Sequence, residues 1–496
     1  MDQSQPLYRC LSGKEVRRRM IRRRALDKDM SLRTQLNRCL GYPELTAYGL
    51  AHTIGVGLYV LTGTLVKNYA GASTCFAYLI AGISGLFTGA CYAEFSTLVP
   101  RAGSSYVYTY LMLGELPAFL IGWTMISDMI VGMSAISKAL SGTINLMCGG
   151  CISNWSSTHL VTLAGGKSEI LERNPDLISC AFIILLVLIT LTGVKFSLGF
   201  NFFIAILQMS FLIIMIICAF VFGNPANITN DTFAPGGLIG ILNSVGIGLF
   251  AFSGFESLTT ASEEARDPKK DLPRALYTSS GICVVLYFIV PIALNYLTPR
   301  GVIDIYAPFP SAFDAVGVRG LMWFAAIATI IASGAAKIVG MHCIPRMFYS
   351  MASDGLLFSF MGYVDPYTRV PIFSLLIGGT ICALLALFIN LKALADFTSV
   401  GIIFCYYFIG IDLIVLRYIY NKEDSDMSNL KFTFILFVLS LLFVGASVKG
   451  VIVWYEASVF FFITMAFFGL VSICCFAVLC IYKPNVYEGG FVVSTF

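Results

Sequence analysis

Twelve apolar stretches follow one another along this chain, each long enough to cross a lipid bilayer as a helix. A membrane-spanning helix needs roughly 17–25 mostly apolar residues. The stretches are 43–66, 73–98, 116–145, 177–193, 198–222, 236–260, 275–297, 320–343, 371–389, 394–416, 431–448 and 452–482. Strands of a membrane barrel would alternate in polarity over about ten residues, and that alternation is absent. The expected fold class is therefore an all-α polytopic membrane protein with about twelve spans. Composition agrees: 57% of the 496 residues are hydrophobic and 12% charged, where soluble domains carry about a quarter charged residues.

Charge fixes the expected orientation. Residues 1–42 hold eleven Lys or Arg, among them Arg17, Arg18, Arg19, Arg22, Arg23 and Arg24. No apolar core precedes the end of this arm, so it does not read as a cleaved signal. On a chain this apolar, a cytosolic arm touching anionic lipid fits better than a nucleic-acid patch. Connections on the arm's side carry 23 Lys or Arg, counting Lys431 at the edge of span eleven, and those on the other side carry seven. The positive-inside rule then puts both termini in the cytosol. Three glycosylation sequons, at Asn154, Asn227 and Asn230, all fall on the side assigned outward. Four segments are expected: a basic arm (1–42), a core holding spans one to ten (43–420), two additional spans (421–482) and a short cytosolic tail (483–496).

No spacing of His and Cys suggests a metal site, no cofactor motif is present, and enzyme chemistry finds no support. Cys148 and Cys151, in a C-G-G-C run on the outward side, are read either as a local disulfide or as two free thiols.

The residues that invite a functional reading lie inside the spans. Span one contains Gly55-Val56-Gly57 beside His52 and Thr53, and span six contains Phe252-Ser253-Gly254-Phe255-Glu256. Paired glycines in mid-span serve helix packing or an unwound point. Unwound backbone can receive a carboxylate on freed N–H groups. Interruptions at corresponding places in two halves point to an inverted-repeat transporter site. Spans one and six are five apart, as an inverted five-helix repeat requires. Charges within spans cost roughly 2.5–3.5 kcal/mol at mid-bilayer on insertion scales. Asp128 and Lys138 in span three, Glu256 in span six, Lys337 in span eight and Glu94 in span two carry that cost. Glu94 and Lys138 are read as reaching an interface, whereas Asp128 and Lys337 lie deeper.

In order along the chain come Gly55-Val56-Gly57-Leu58-Tyr59-Val60, Cys91-Tyr92-Ala93-Glu94-Phe95, Pro100-Arg101-Ala102-Gly103-Ser104-Ser105-Tyr106, Gly254-Phe255-Glu256, Glu263-Glu264-Ala265-Arg266-Asp267-Pro268 and Pro345-Arg346 through Asp354-Gly355-Leu356. With these motifs, residues 36–420 resemble the cationic amino acid transporters of the amino acid–polyamine–organocation superfamily. The resemblance implies a LeuT-like 5+5 inverted repeat with two further helices. It also implies a site in which Gly55, Val56 and Gly57 meet the substrate carboxylate and carbonyls at Phe252, Ser253 and Gly254 meet its amino group. Phe252, chosen over Phe250, would cover the substrate, and Asp128 would face a cationic side chain. Glu94, Arg101 and Arg346 match residues around the cytosolic gate.

Three departures stand out. Ala51-His52 replaces the usual Gly-Ser. Phe202 follows Asn201 where many relatives carry a Lys in span five. Lys337 stands where relatives have an apolar residue. Lys337 is read either as the missing cation supplied from another wall or as a structural partner of Asp128 or Glu256.

The leading expectation is a secondary transporter of arginine, lysine or ornithine at the plasma membrane, working by alternating access in a lipid bilayer. A carrier of neutral or ω-amino acids in an endolysosomal membrane is the alternative within that class, and a non-transporting amino acid sensor the alternative outside it.

Overall fold

The computed structural model describes residues 22, 36, 38–160, 170–172, 174–228, 233–305, 307–419 and 458–481. Most of the basic arm, span eleven, Asn230 and the tail lie outside the described residues. Within them the protein is helical, with two isolated bridges, Leu40 to Ala265 and Leu171 to Ile389, in place of any strand.

Among the described residues seven helical stretches are long and apolar enough to cross a membrane, and two shorter apolar helices accompany them. The first stretch runs from Tyr42 to Leu98. As one straight helix it would reach roughly 85 Å, far beyond a bilayer core of about 30 Å. Gly71 divides it. Its φ of 57° is a backbone state that side chains with a Cβ rarely adopt, and the chain reverses there into Thr74–Leu98. Spans one and two are thus separate crossings.

The lengths of successive helices repeat. Spans three and eight are the longest, Glu115–Met147 and Arg319–Ser353, with 33 and 35 residues. Spans four and nine are short, Leu177–Leu191 and Ile372–Phe388, with 15 and 17. Spans two and seven are Thr74–Leu98 and Pro268–Leu297; spans five and ten are Val194–Phe222 and Leu391–Ile414. Spans one and six are the two irregular members. Each half therefore runs irregular, long, longest, short, long. A further helix, Ser458–Ile481, falls within the expected span twelve.

Side-chain size decides which helices touch. Span eight places Ala325, Ala328, Ala332, Ala335 and Ala336 at 0% exposure, so spans one and five approach its backbone closely. Span five turns Phe203, Ile206, Ile213, Ile217, Phe220 and Val221 outward, an apolar face suited to lipid tails. The last carboxylate before span four, Asp176, caps it by accepting from the Ser179 N–H at 3.1 Å, and Asn390 caps span ten through the Ala393 N–H at 2.8 Å.

Candidate functional site

Span six is interrupted where the sequence suggested. Its first helix, Gly237–Ala251, ends at Phe252, and a second, Gly254–Thr260, restarts after Ser253. The carbonyls freed at the break are taken by tyrosines from other spans. Tyr406 of span ten donates to the Phe252 carbonyl at 3.1 Å, and Tyr287 of span seven lies 3.3 Å from that of Ala251. Unfilled carbonyls in a membrane interior would each cost several kcal/mol.

Span one behaves differently. It does not unwind: the α-helix Tyr42–Val56 passes into a π-helical turn at Gly57–Leu61. A β-carbon on Gly55 would collide with the Ala336 methyl group and stand 2.9 Å from the Ala332 carbonyl oxygen. One on Gly57 would run into the Tyr287 hydroxyl and the Ala251 methyl. Both glycines thus bring backbones together. The wider π turn shifts the hydrogen-bond ladder, and side chains fill the gaps: Tyr287 donates to the Thr53 carbonyl at 2.7 Å, and Thr62 to that of Gly57 at 3.2 Å. Single π turns of this kind recur at functional sites.

Between the two irregular helices lies a cavity. His52, Thr53 and Gly57 line it from span one, Asp128, Met129, Gly132, Met133 and Ile136 from span three, and Gly340 from span eight. Phe250, Ala251, Ser253, Glu256 and Ser257 complete the wall from span six. The void measures about 30 Å³, room for roughly two waters. A solute of amino acid size fits only if the walls part.

The charge of this cavity is one-sided. Asp128 is 6% exposed, and its Oδ1 has no hydrogen-bond partner among the described residues. Glu256 accepts from the Tyr92 hydroxyl at 2.9 Å. Among the described residues no Lys or Arg lines the wall. The Ser257 hydroxyl and His52 Nδ1 likewise lack partners. Gly401 of span ten makes the room that Asp128 occupies, since a β-carbon there would stand 3.0 Å from Oδ1.

The remaining expected residues are placed as follows. Gly57, Asp128, Ser253 and Glu256 meet at the cavity. Gly55 packs behind it on span eight, Val56 ends the α-helical part of span one, and Gly254 packs against Thr53. Phe252 is buried away from the cavity, with its ring 5.0 Å from that of Tyr287 and against Gly82 and Gly85; Phe250 faces the void instead. The missing side chains of Gly82 and Gly85 on span two leave the space that the Phe252 ring occupies. Lys337 is fully buried yet pairs with neither Asp128 nor Glu256. Its amine sits 4.2 Å from the centre of the Phe182 ring and has no hydrogen-bond partner among the described residues.

On the face that carries the arm, a set of buried polar contacts closes the molecule below the cavity. Glu264, at the end of span six, accepts from Arg346 Nε at 3.0 Å and lies 3.0 Å from His342 Nε2. His342 Nδ1 in turn lies 2.9 Å from the Tyr48 hydroxyl of span one. The backbone N–H groups of Cys39 and Leu40 fasten the end of the arm to the Glu264 carbonyl, at 3.0 and 3.1 Å. Glu94 is gripped by two nitrogens of Arg417 on span ten, one of them at 3.1 Å. Arg101 contributes through its backbone carbonyl, which accepts from Ser262 at 2.9 Å, while the neighbouring Ala102 N–H donates to Glu263 at 2.9 Å.

The opposite face holds an open cleft of about 770 Å³ lined by Asn145, Asn154, Glu172, Asp304 and others. Lys138 reaches it and pairs with Glu172 at 3.0 Å and Asp176 at 3.8 Å. Asn154 is exposed on the helix Cys151–His159, which a disulfide between Cys148 and Cys151 precedes. Asn227 is half-buried and spends its amide N–H groups on the carbonyls of Tyr296 and Leu297.

Sequence reasoning gave no role to Glu264, His342, Arg417 or the tyrosines at positions 92, 287 and 406. For His342 a signal existed: it precedes Arg346 by four residues, so one helical face presents both. The tyrosines carried none: Tyr287 and Tyr406 bond backbone carbonyls at the irregular turns, and Tyr92 bonds the Glu256 carboxylate from a span far off in sequence.

The chain matches the family model described as amino acid permease over residues 40–487. It is 33% identical over 396 residues to cationic amino acid transporter 4 of Mus musculus, covering 79% of this chain and 61% of that protein. It is 31% identical over 428 residues to the vacuolar cationic amino acid transporter 2 of Arabidopsis thaliana, covering 84% and 65%. To the methylthioribose transporter of Bacillus subtilis it is 30% identical over 383 residues, covering 77% and 82%. The chain spans less than two thirds of the length of these two cationic amino acid transporters.

Proposed function

The chain belongs to the amino acid permease family, and we propose that within it the protein carries cationic amino acids such as arginine, lysine or ornithine by alternating access. The observation that carries this reading is the cavity between the broken span six and the π turn of span one. Among the described residues it is lined by two carboxylates, Asp128 and Glu256, and by no Lys or Arg. In a low-dielectric site an unpaired carboxylate is costly, and a ligand bringing a positive charge relieves that cost. The named cationic amino acid transporters among its relatives support the same substrate class.

The contacts on the arm face close the cytosolic side, and the cleft on the other face opens outward. Glu264 with Arg346 and His342, and Glu94 with Arg417, are the pairs that separate when the cavity opens inward. Lys337 is assigned to coupling. The arm touches anionic lipid on the cytosolic face of the plasma membrane, and no covalent step is involved.

The test is uptake by proteoliposomes holding the purified protein, with radiolabelled arginine, leucine and γ-aminobutyrate at pH 5.5 and 7.5. Saturable arginine uptake that unlabelled lysine inhibits is expected. Uptake of leucine or γ-aminobutyrate without arginine would overturn the substrate class, and binding without flux in any of them would make the protein a sensor.

A further inference from the structure

Helix Cys151–His159 follows span three on the face opposite the arm, with seven of its nine residues exposed and two half-buried. A helix this short is marginal in water unless something holds it. Polar bonds fasten its two ends. The Asn145 side-chain oxygen accepts from the N–H groups of Ile152 and Ser153 at 3.1 and 3.0 Å. The Asn174 amide donates to the carbonyls of Ser156 and Leu160 at 3.4 and 3.5 Å. The Cys148–Cys151 disulfide adds a covalent attachment, and both cysteines are exposed. Between them Gly149 and Gly150 take φ of 65° and 85°. Once the sulfurs part, this Gly-Gly turn is the freest hinge the chain can offer. The same helix lines the 770 Å³ cleft through Ser153, Asn154 and Ser157, and Glu172, Asp176 and Asp304 line it as well.

We propose that Cys148 and Cys151 are a redox-active pair that a soluble dithiol reduces, and that reduction frees helix Cys151–His159 from the mouth of the cleft. A thiolate of the dithiol attacks the Cys148 sulfur. A new S–S bond forms there, the bond to Cys151 breaks, and its electron pair leaves on the Cys151 sulfur. Cys151 is the first residue of its helix, where the dipole favours negative charge, so its thiolate is the better leaving group. The second thiol of the dithiol then displaces Cys148. Two protein thiols and an oxidised dithiol result, the protein gaining the two electrons and two protons that the dithiol loses. With the link gone, only the bonds of Asn145 and Asn174 oppose a swing about the Gly-Gly turn. The cleft then widens on that side, and its carboxylates draw a cation in more readily. Reoxidation of the pair returns the wall.

Labelling and exchange test the pair without reference to a substrate; the uptake measurement rests on the proposed transport of cationic amino acids. Protein in detergent is treated with dithiothreitol, freed of it and exposed to a water-soluble maleimide, and the labelled peptides are identified by mass spectrometry. Cys148 and Cys151 should be labelled after reduction and not before. Backbone deuterium exchange over residues 151–159 should quicken about tenfold or more on reduction, while that of Arg319–Ser353 stays as it was. In proteoliposomes, initial uptake at subsaturating arginine should rise about twofold or more. Cys148→Ser combined with Cys151→Ser should reproduce the reduced protein and no longer respond to dithiothreitol. Its unfolding temperature should stay close to that of the unmodified protein, because so short a disulfide loop constrains the unfolded chain least. A pair that resists dithiothreitol overturns the inference, and so does exchange that reduction leaves unchanged. Quickened exchange with unchanged uptake overturns it too, since the helix would then guard nothing. Should the double variant not fold, the reduced unmodified protein is read in its place. If arginine is not taken up at all, the transport reading fails, and labelling and exchange still decide whether reduction releases the helix.

Discussion

The carboxylate of Glu264 and the guanidinium of Arg346 meet at 3.0 Å with both side chains at 0% exposure, and His342 closes on the same carboxylate from one turn away. Removing one partner of a buried ion pair leaves the other uncompensated, at about 3–5 kcal/mol. Glu264→Gln should therefore lower the unfolding temperature in detergent by several degrees and weaken the closed arm face. Cys343, whose thiol lies 3.0 Å from the Tyr48 hydroxyl inside this network, should then react with a membrane-permeant maleimide faster than in the unmodified protein. Unchanged melting and unchanged labelling would show that the pair does not hold this face shut.

Asp128→Asn should weaken arginine uptake more than uptake of any neutral amino acid that is carried. An opposite charge in a low-dielectric cavity favours a cation over a dipole. Gly401→Ala should do the same more mildly, because its methyl group would press on Asp128 Oδ1. The comparison is KM for arginine against KM for leucine. Equal losses for both substrates would assign Asp128 to the fold.

Gly55→Leu should abolish uptake while the protein still inserts in the membrane. The reason is packing: even a methyl group there collides with Ala336, so spans one and eight are forced apart. Gly55→Ala should already reduce uptake severalfold. Normal uptake by the leucine variant at normal expression would remove the close approach of these spans from the account.

Lys337 has a buried amine with an aromatic face and no hydrogen bond. A lone buried amine lowers stability, and a well-packed apolar side chain relieves that cost. Lys337→Leu should therefore raise the unfolding temperature while impairing transport. Spans one, five and eight pack against one another, so Phe202→Lys placed on span five in the Lys337→Leu background should restore part of the loss. Lys337→Leu that transports normally from pH 5.5 to 7.5 would end the assignment to coupling.

Asn154→Gln should reduce the mobility shift produced by glycosidase treatment of protein from mammalian cells, and Asn227→Gln should leave the shift unchanged. Asn154 is exposed on its helix, whereas the Asn227 amide is tied to two carbonyls. A shift carried by Asn227 alone would contradict this placement.

What the sequence determined by itself was the membrane class, the first ten crossings and the two irregular spans. These follow from hydropathy, which each stretch carries in its own residues, and from glycine, which weakens a helix wherever it stands. Asp128 and Glu256 were legible for the same reason: a charge in an apolar run is conspicuous without any neighbour. Three-dimensional packing decided the rest. Whether Gly55 and Gly57 unwind a helix or admit a neighbour depends on Ala336 and Tyr287, more than two hundred residues away. Phe250 rather than Phe252 faces the void because Gly82 and Gly85 of span two and Tyr287 of span seven make the room that the Phe252 ring fills. Lys337 rests on Phe182 instead of a carboxylate, since span four covers that side of span eight. The seal at Glu264 draws on spans one, six and eight together. Each of these outcomes is set by which helix faces meet, and that is information no single stretch of sequence contains.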